Sequence, residues 1–409
     1  MKKNSYDILI LGGGASGLAA AISAKRTCIK ASVAVVERLS KTGKKILATG
    51  NGRCNLSNTD INVSHYHGTC SSLLKTISGF SVPDFFASLG VLCEDDGYGR
   101  IYPRCRSAAS VLDALRLECA KLGIEEICDT EITGIEVRNG FVLKSANVEF
   151  YAKNAIIAGG GKSQSALGSN GSMLDICAGL GIKITAPYPA LVPLKTDHAL
   201  VKPLKGQRAD ANVMFCADRK CVSVSRGEVQ FTDGLLSGIC VFDISYLYEQ
   251  YKGSDCQLRI DLLPDMSTSD VEALLKTARD IRSGTAPDDF LSGIFTRALG
   301  IYVLKKALHK LPETTGKINN NDITAISAVI KSLTFPVTGT AGFDRSQVTG
   351  GGIAADEINE AFGIRHIDGM YVCGEILDIF GDCGGYNLDF AFSSGAIAGR
   401  NAAIRAARK

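Results

Sequence analysis

The residues of this chain whose types and spacing could do chemistry begin with three glycines and an acid. Gly12, Gly14 and Gly17 follow directly on the apolar run Asp7–Leu11, and a second apolar run, Val33–Val36, ends on Glu37 and Arg38. In such a turn the first glycine permits the tight bend, the second lets a pyrophosphate approach the backbone, and the third brings a helix close to its strand. The helix opening at Ala15 and Ser16 offers its unpaired N–H groups and positive end to the phosphates. Glu37 stands where a carboxylate can accept hydrogen bonds from the ribose hydroxyls of an adenosine. A glycine-rich turn in an ordinary α/β protein explains the glycines but not the placed acid, so the stretch is expected to bind a dinucleotide.

Further groups of the same kind lie along the chain. The stretch 41–58 has a loop composition, and its Lys44, Lys45, Asn51, Gly52, Arg53 and Asn55 are donors that could lie along a dinucleotide. Cys54 suits a small buried residue packing against the cofactor better than a reactive thiol. A second strand-to-glycine transition delivers Ala158 and Gly159. The triplet Gly161-Lys162-Ser163 imitates a P-loop, but Ile156 occupies the position of the other required glycine. Near the C-terminus a strand over 370–373 leads to Gly374, Glu375 and Asp378, suited to a ribityl chain or pyrophosphate. Gly385, Tyr386, Asn387 and Leu388 then open a helix whose positive end would face a flavin's pyrimidine edge and stabilise negative charge on the reduced ring. Tyr386 is the candidate proton donor, with packing in its turn as the alternative. Asp233, which could face a cavity, and Arg100 and Arg104, which could bind a substrate carboxylate, are weaker candidates, read more readily as a loop cap and as surface arginines.

The elements that must position these groups are legible in outline. Alternating residues over 124–152 around Asn139-Gly140 predict a β-meander. The texture changes near Ala190: 192–262 is strand-rich and 268–330 helical, after which the glycine-rich style returns. The expected architecture is an α/β fold with a Rossmann-like domain formed by both chain ends, 1–190 and 334–409. Between them lie a β-rich insertion, 191–265, and a helical part, 266–333.

Composition excludes several alternatives. With 45 basic and 42 acidic residues the charge of +3 argues against a nucleic-acid partner or an acidic membrane surface. No apolar run is long enough to span a bilayer. Lys2 and Lys3 imitate the start of an export signal, but Asp7 and three consecutive glycines interrupt it. The fourteen scattered cysteines lack any zinc spacing, so reduced thiols in a cytoplasmic protein, with no metal, are expected.

The chain resembles the flavoproteins of the BaiN/YhiN type, the aminoacetone oxidase-like FAD-binding enzymes. The motifs that carry this are Gly12–Ala20, the loop ending Gly50–Asn55, Pro189–Leu194, Val348–Gly352 and Gly374-Glu375-x-x-Asp378 leading to Gly384–Leu388. The resemblance implies a Rossmann-like FAD-binding domain built from both chain ends, with an inserted β-barrel-like domain and a small helical domain between, and FAD held by Gly14–Gly17, Glu37-Arg38, Lys44–Asn55, Ala158-Gly159, Gly374-Glu375 and Gly385–Leu388. Two departures stand out. The family's His and Pro around Phe231–Ile239 are absent, and its Gln after Asn-Leu is Asp389.

Both chain ends thus converge on one extended cofactor, which fits FAD better than a dissociable nicotinamide. No second glycine fingerprint offers an NAD(P)H domain, so NAD(P)H as donor would dock transiently. The expected function is an FAD-dependent oxidoreductase reducing an activated C=C or C=O of a small or steroid-like molecule with NAD(P)H. The alternatives are an amine oxidase passing electrons to oxygen and a non-catalytic flavin-binding regulator.

Overall fold

The computed structural model describes residues 4–408, in two compact units, Met1–Pro189 with Gln347–Lys409, and Ala190–Ser346. The first unit is built on a seven-stranded sheet. Ser5–Leu11 lies between Val33–Val36 and Glu149–Ile157 and runs parallel to both. Glu125–Ile127 extends the sheet beyond Val33–Val36, and Met370–Val372 pairs with Ala155–Ile157, again in parallel. Ile8 to Leu11 and Val33 to Val36 are all buried, as expected of parallel strands covered on both faces, which read as unbroken apolar runs. The predicted meander is present: Ile132–Arg138, Gly140–Ser145 and Glu149–Ile157 pair antiparallel in turn, with Gly140 at φ +106°.

Ala15–Thr27 is the first helix, and the C-terminal helix Tyr386–Ala407 packs along it. The approach is backbone to backbone. A Cβ added at Gly395 would overlap the carbonyl of Ser16, and one at Gly399 the carbonyl of Ala20. This close packing sets the end of the chain beside the first glycine turn. Arg100–Pro103 is a strand between Ser57–Asn58 and Cys93–Asp95, and Ile101 and Tyr102 are buried there.

In the second unit seven strands form one antiparallel sheet, with helices Thr268–Ile281, Arg297–Ala307 and Asn320–Lys331. The domain limits differ from the expectation in two ways. Val271 and Leu275 of the first of these helices share one core with Phe215, Leu258 and Phe335 of the sheet, so the β-rich and helical parts are a single unit. The insertion also continues past 333. Leu333–Pro336 pairs with Cys256–Asp261, and Gly339–Thr340 pairs with Leu194–Lys195. Among the described residues no helix is long and apolar enough to cross a membrane.

Candidate cofactor site

The three glycines of the turn differ in their surroundings. Gly12 adopts φ +108°, and a Cβ there would overlap the carbonyl of Ala158. A Cβ on Gly17 would overlap the carbonyl of Gly12, so helix and strand meet only through glycine. At Gly14, by contrast, an added Cβ meets nothing within 4 Å. Gly14 is the N-cap of the first helix, no side chain caps it, and its first turn, which holds Ala15 and Ser16, carries no acid. An open approach and an uncapped positive end are what a pyrophosphate needs.

Glu37 is buried, and its two oxygens accept the Gly13 and Leu39 N–H groups, each at 2.8 Å. The carboxylate is therefore fixed in place, and each oxygen keeps lone-pair capacity for a ribose hydroxyl. Arg38 donates to the carbonyl of Ser165 at 3.0 Å, and its Nε is buried with no hydrogen-bond partner. Ala158 and Gly159 continue the strand end beside Leu11, to whose carbonyl Ala158 N–H donates.

The cationic loop forms a short helix, Lys44–Ala48, and a turn in which Gly50 and Asn51 are both left-handed. Lys45 Nζ lies 2.8 Å from Glu375 Oε2, and Glu375 Oε1 accepts the Thr349 N–H at 3.0 Å. One ion pair thus ties the N-terminal loop to the C-terminal segment. Lys44 is half-buried, while Asn51, Gly52 and Arg53 are exposed. Cys54 is fully buried, and burial pushes its thiol up to about 12, consistent with packing and not nucleophilic chemistry. Asn55 Oδ1 is buried without a hydrogen-bond partner, 2.8 Å from where a Gly385 Cβ would stand. Buried polar atoms left without a partner at Arg38 and Asn55, and open space at Gly14, are the features of a site shaped around a polar ligand.

The C-terminal segment is anchored as tightly. Gly374 lies against Ser16, its N–H donated to Ser394 Oγ at 3.0 Å. Asp378 is 2% exposed, and its carboxylate accepts from Thr69 Oγ1 at 2.8 Å and from the Gly351 N–H at 3.1 Å. These contacts make it a clamp between two loops. The Lys162 and Ser163 N–H groups both go to Thr349 Oγ1, which leaves no phosphate cradle there. The C-terminal helix begins at Tyr386 behind a left-handed Gly385, with no side-chain cap. Asn387 closes back on Gly381, accepting its N–H and donating to its carbonyl, both at 2.8 Å. Leu388 is half-buried against the core. Asp389, in the first turn, is buried and accepts from Ser57 Oγ at 2.5 Å; burial pushes its carboxyl up to about 6.

Tyr386 is 6% exposed and walled in. The His65 ring stacks on it at 4.5 Å, Tyr66 meets it edge-on, and the Tyr66 hydroxyl donates to its carbonyl at 3.1 Å. These contacts favour packing over proton donation. They also bring in groups that sequence reasoning missed: Asp382 holds His67 Nε2 at 2.8 Å and His65 Nδ1 at 3.2 Å. The available signal was the pair His65 and His67 two residues apart; the structure places His65 at the end of a 3-10 turn and His67 on the short strand that follows it. The weaker candidates stay apart from this site. Arg100 pairs with Asp96 and Arg104 with Glu94. Asp233 belongs to the second unit, paired with His198 and Lys205, and lines a cavity of about 310 Å³ there. Among the described residues no group of three or more His, Cys, Asp or Glu could hold a metal.

Comparison with known proteins places this geometry in a family. Residues 6–401 match the HI0933-like protein Rossmann domain. The 3-dehydro-bile acid delta(4,6)-reductase of Clostridium scindens is 36% identical over 404 residues, covering 97% of this chain and 98% of that protein. The ribosomal RNA dihydrouridine synthase of Haemophilus influenzae is 29% identical, covering 94% and 96%. Among solved structures, the 3-ketosteroid-delta4-(5alpha)-dehydrogenase of Rhodococcus jostii RHA1 superposes with a TM-score of 0.50 at 17% identity, covering 99% of this chain and 97% of its own, a likeness of fold. The chain belongs to the HI0933-like Rossmann family.

Proposed function

We propose that this protein, an FAD-dependent oxidoreductase, reduces a C=C bond conjugated with a carbonyl in a small or steroid-like molecule, with NAD(P)H as the electron donor. The observation that carries the reading is end-to-end similarity to a reductase of an unsaturated 3-dehydro-bile acid. Bound FAD supplies the two-electron chemistry. The chain's own residues do the rest. Gly12 to Gly17 receive the pyrophosphate on the first helix, and Glu37, with Arg38 beside it, takes the adenosine ribose. Lys44, Lys45 and the Asn51–Asn55 turn line the cofactor's length, with Cys54 filling the wall, and Ala158-Gly159 and Gly374-Glu375 close it from the other side. The uncapped helix end behind Gly385, with Tyr386, Asn387 and Leu388, would hold the flavin end of the cofactor and stabilise negative charge there. Asp378 acts through the loops it clamps, and Tyr386 is a wall of the pocket.

A second reading has a specific basis. Dihydrouridine is uridine whose carbonyl-conjugated C5=C6 bond has been reduced, and a relative named for that activity covers nearly all of this chain. The same active-site chemistry would serve it, on ribosomal RNA. The small-molecule reading is preferred on the higher identity of the bile-acid reductase and on a net charge of only +3, where RNA binding draws on a basic surface. The test is an anaerobic incubation with NADH or NADPH and a panel of acceptors, 4-en-3-one and 4,6-dien-3-one steroids and ribosomal RNA lacking dihydrouridine, with a separate incubation of primary amines under air as electron donors. A steroid product two mass units heavier supports the proposal (about 2 Da per C=C reduced). Turnover of RNA alone supports the second reading, and peroxide release driven by an amine contradicts both.

A further inference from the structure

We propose that His65, His67 and Asp382 form a proton relay serving the carbon that is reduced at the flavin; the inference rests on the reductase reading above. Saturating a conjugated C=C needs a proton as well as a hydride, and the glycine motifs supply no proton donor.

The geometry points to this cluster. Asp382 lies four residues before the C-terminal helix opens at Tyr386, in the loop that Asn387 fixes through Gly381. One of its oxygens holds His67 Nε2 at 2.8 Å and the other His65 Nδ1 at 3.2 Å. The arrangement is locked by backbone: Phe380 and Gly381 pair antiparallel with His67 and Tyr66, and the Asp382 N–H donates to the His65 carbonyl at 2.9 Å. The charged and titratable groups facing His65 are Asp60, Asp382 and the Tyr386 ring, while His67 faces Asp382 and packs on Phe380. The side chains of His65, Asp382 and His67 are 30%, 23% and 21% exposed, so the cluster is sheltered yet open to proton exchange. Asp60 is exposed and marks the solvent side.

A carboxylate between two imidazoles fixes both rings and balances one imidazolium on either. His65 exchanges with solvent on the Asp60 side, and His67, the less exposed ring, passes the proton on. The Asp382 carboxylate carries the proton between the rings, taking it from His65 Nδ1 and giving it to His67 Nε2. The step balances: the substrate π bond breaks as a hydride from reduced flavin reaches the β-carbon, and the electron pair left on the α-carbon takes the imidazole proton. The substrate is reduced, the flavin oxidised, and the neutral imidazole is reprotonated from water.

The test uses the FAD-loaded full chain and the variants His67→Gln and Asp382→Asn. Three rates are measured: flavin reduction by NAD(P)H, reoxidation by ferricyanide, and reoxidation by a 4-en-3-one steroid. The relay predicts that only the last slows, by about 100-fold, the usual range for a lost general acid. Equal steroid rates in wild type and variants would overturn it, as would loss of bound flavin in both variants, which would make the cluster a structural clamp. A wild type that ferricyanide reoxidises but no unsaturated carbonyl or RNA acceptor does would overturn the reductase reading instead. Independently of turnover, Asp382→Asn should move the 15N signals of both His65 and His67, which share that carboxylate; signals left unchanged would also refute the relay.

Discussion

The departure at Asp389 gives the sharpest quantitative prediction. A carboxyl sits buried in the first turn of the C-terminal helix, held by Ser57, with its pKa raised from 3.8 to about 6, mainly by burial. The folded protein therefore binds this proton more tightly than the unfolded chain. The group costs nothing below the unfolded value. Its cost grows as pH rises through the interval between 3.8 and about 6 and is constant above it. About two pKa units correspond to about 3 kcal/mol at pH 7.5, shrinking to about 1 kcal/mol at pH 4.5. Asp389→Asn keeps an acceptor for Ser57 without the charge. Urea unfolding of apoprotein and variant across this pH range should show the variant more stable by up to about 3 kcal/mol at pH 7.5, with the gap closing on acidification. A gap that is absent, or that does not change with pH, would refute the buried-carboxylate argument. If the flavin lies at this helix end as proposed, the same substitution should raise its reduction potential, because it removes a negative charge near the reduced ring.

Three other outcomes follow from single contacts. Glu37→Ala removes the acceptor that orders Gly13 and Leu39 as well as the ribose partner, so FAD binding measured by calorimetry should weaken by about 10- to 100-fold, the worth of hydrogen bonds to a charged group; unchanged affinity would contradict its role. Gly395→Ala places a methyl on the Ser16 carbonyl and should lower stability to urea by about 1–3 kcal/mol through overpacking of the two helices. Labelling by a thiol reagent at pH 8 should reach the exposed Cys105 and Cys221 well before Cys54, whose thiol is buried, as peptide mapping would show.

What could be read from sequence was local. The strand–turn–helix–strand unit from Asp7 to Glu37 writes its own geometry, since apolar runs, glycine spacing and the acid all lie within one supersecondary motif. The helix near Asn387 was equally legible from its glycines. What stayed hidden depends on partners far along the chain: Asp378 answering Thr69, Asp382 answering His65 and His67, and Thr349 capturing the N–H groups of Lys162 and Ser163. No local pattern encodes such pairings. The limit of the insertion was misplaced for a related reason. Leu333–Pro336 and Gly339–Thr340 are short strands with little periodicity of their own, defined by the strands they join.

The central claim is that one FAD, held by both ends of the chain, delivers electrons to a carbonyl-conjugated C=C. Its most direct test is a single turnover: the purified protein with bound FAD is reduced anaerobically, one equivalent of a 4,6-dien-3-one steroid is added, and the flavin and dienone absorbances are followed together. The account predicts that the oxidised flavin spectrum returns as the dienone band disappears in equal amount. A protein that takes up no FAD, or a reduced flavin that stays bleached with every unsaturated carbonyl and every uridine-containing acceptor, would contradict it.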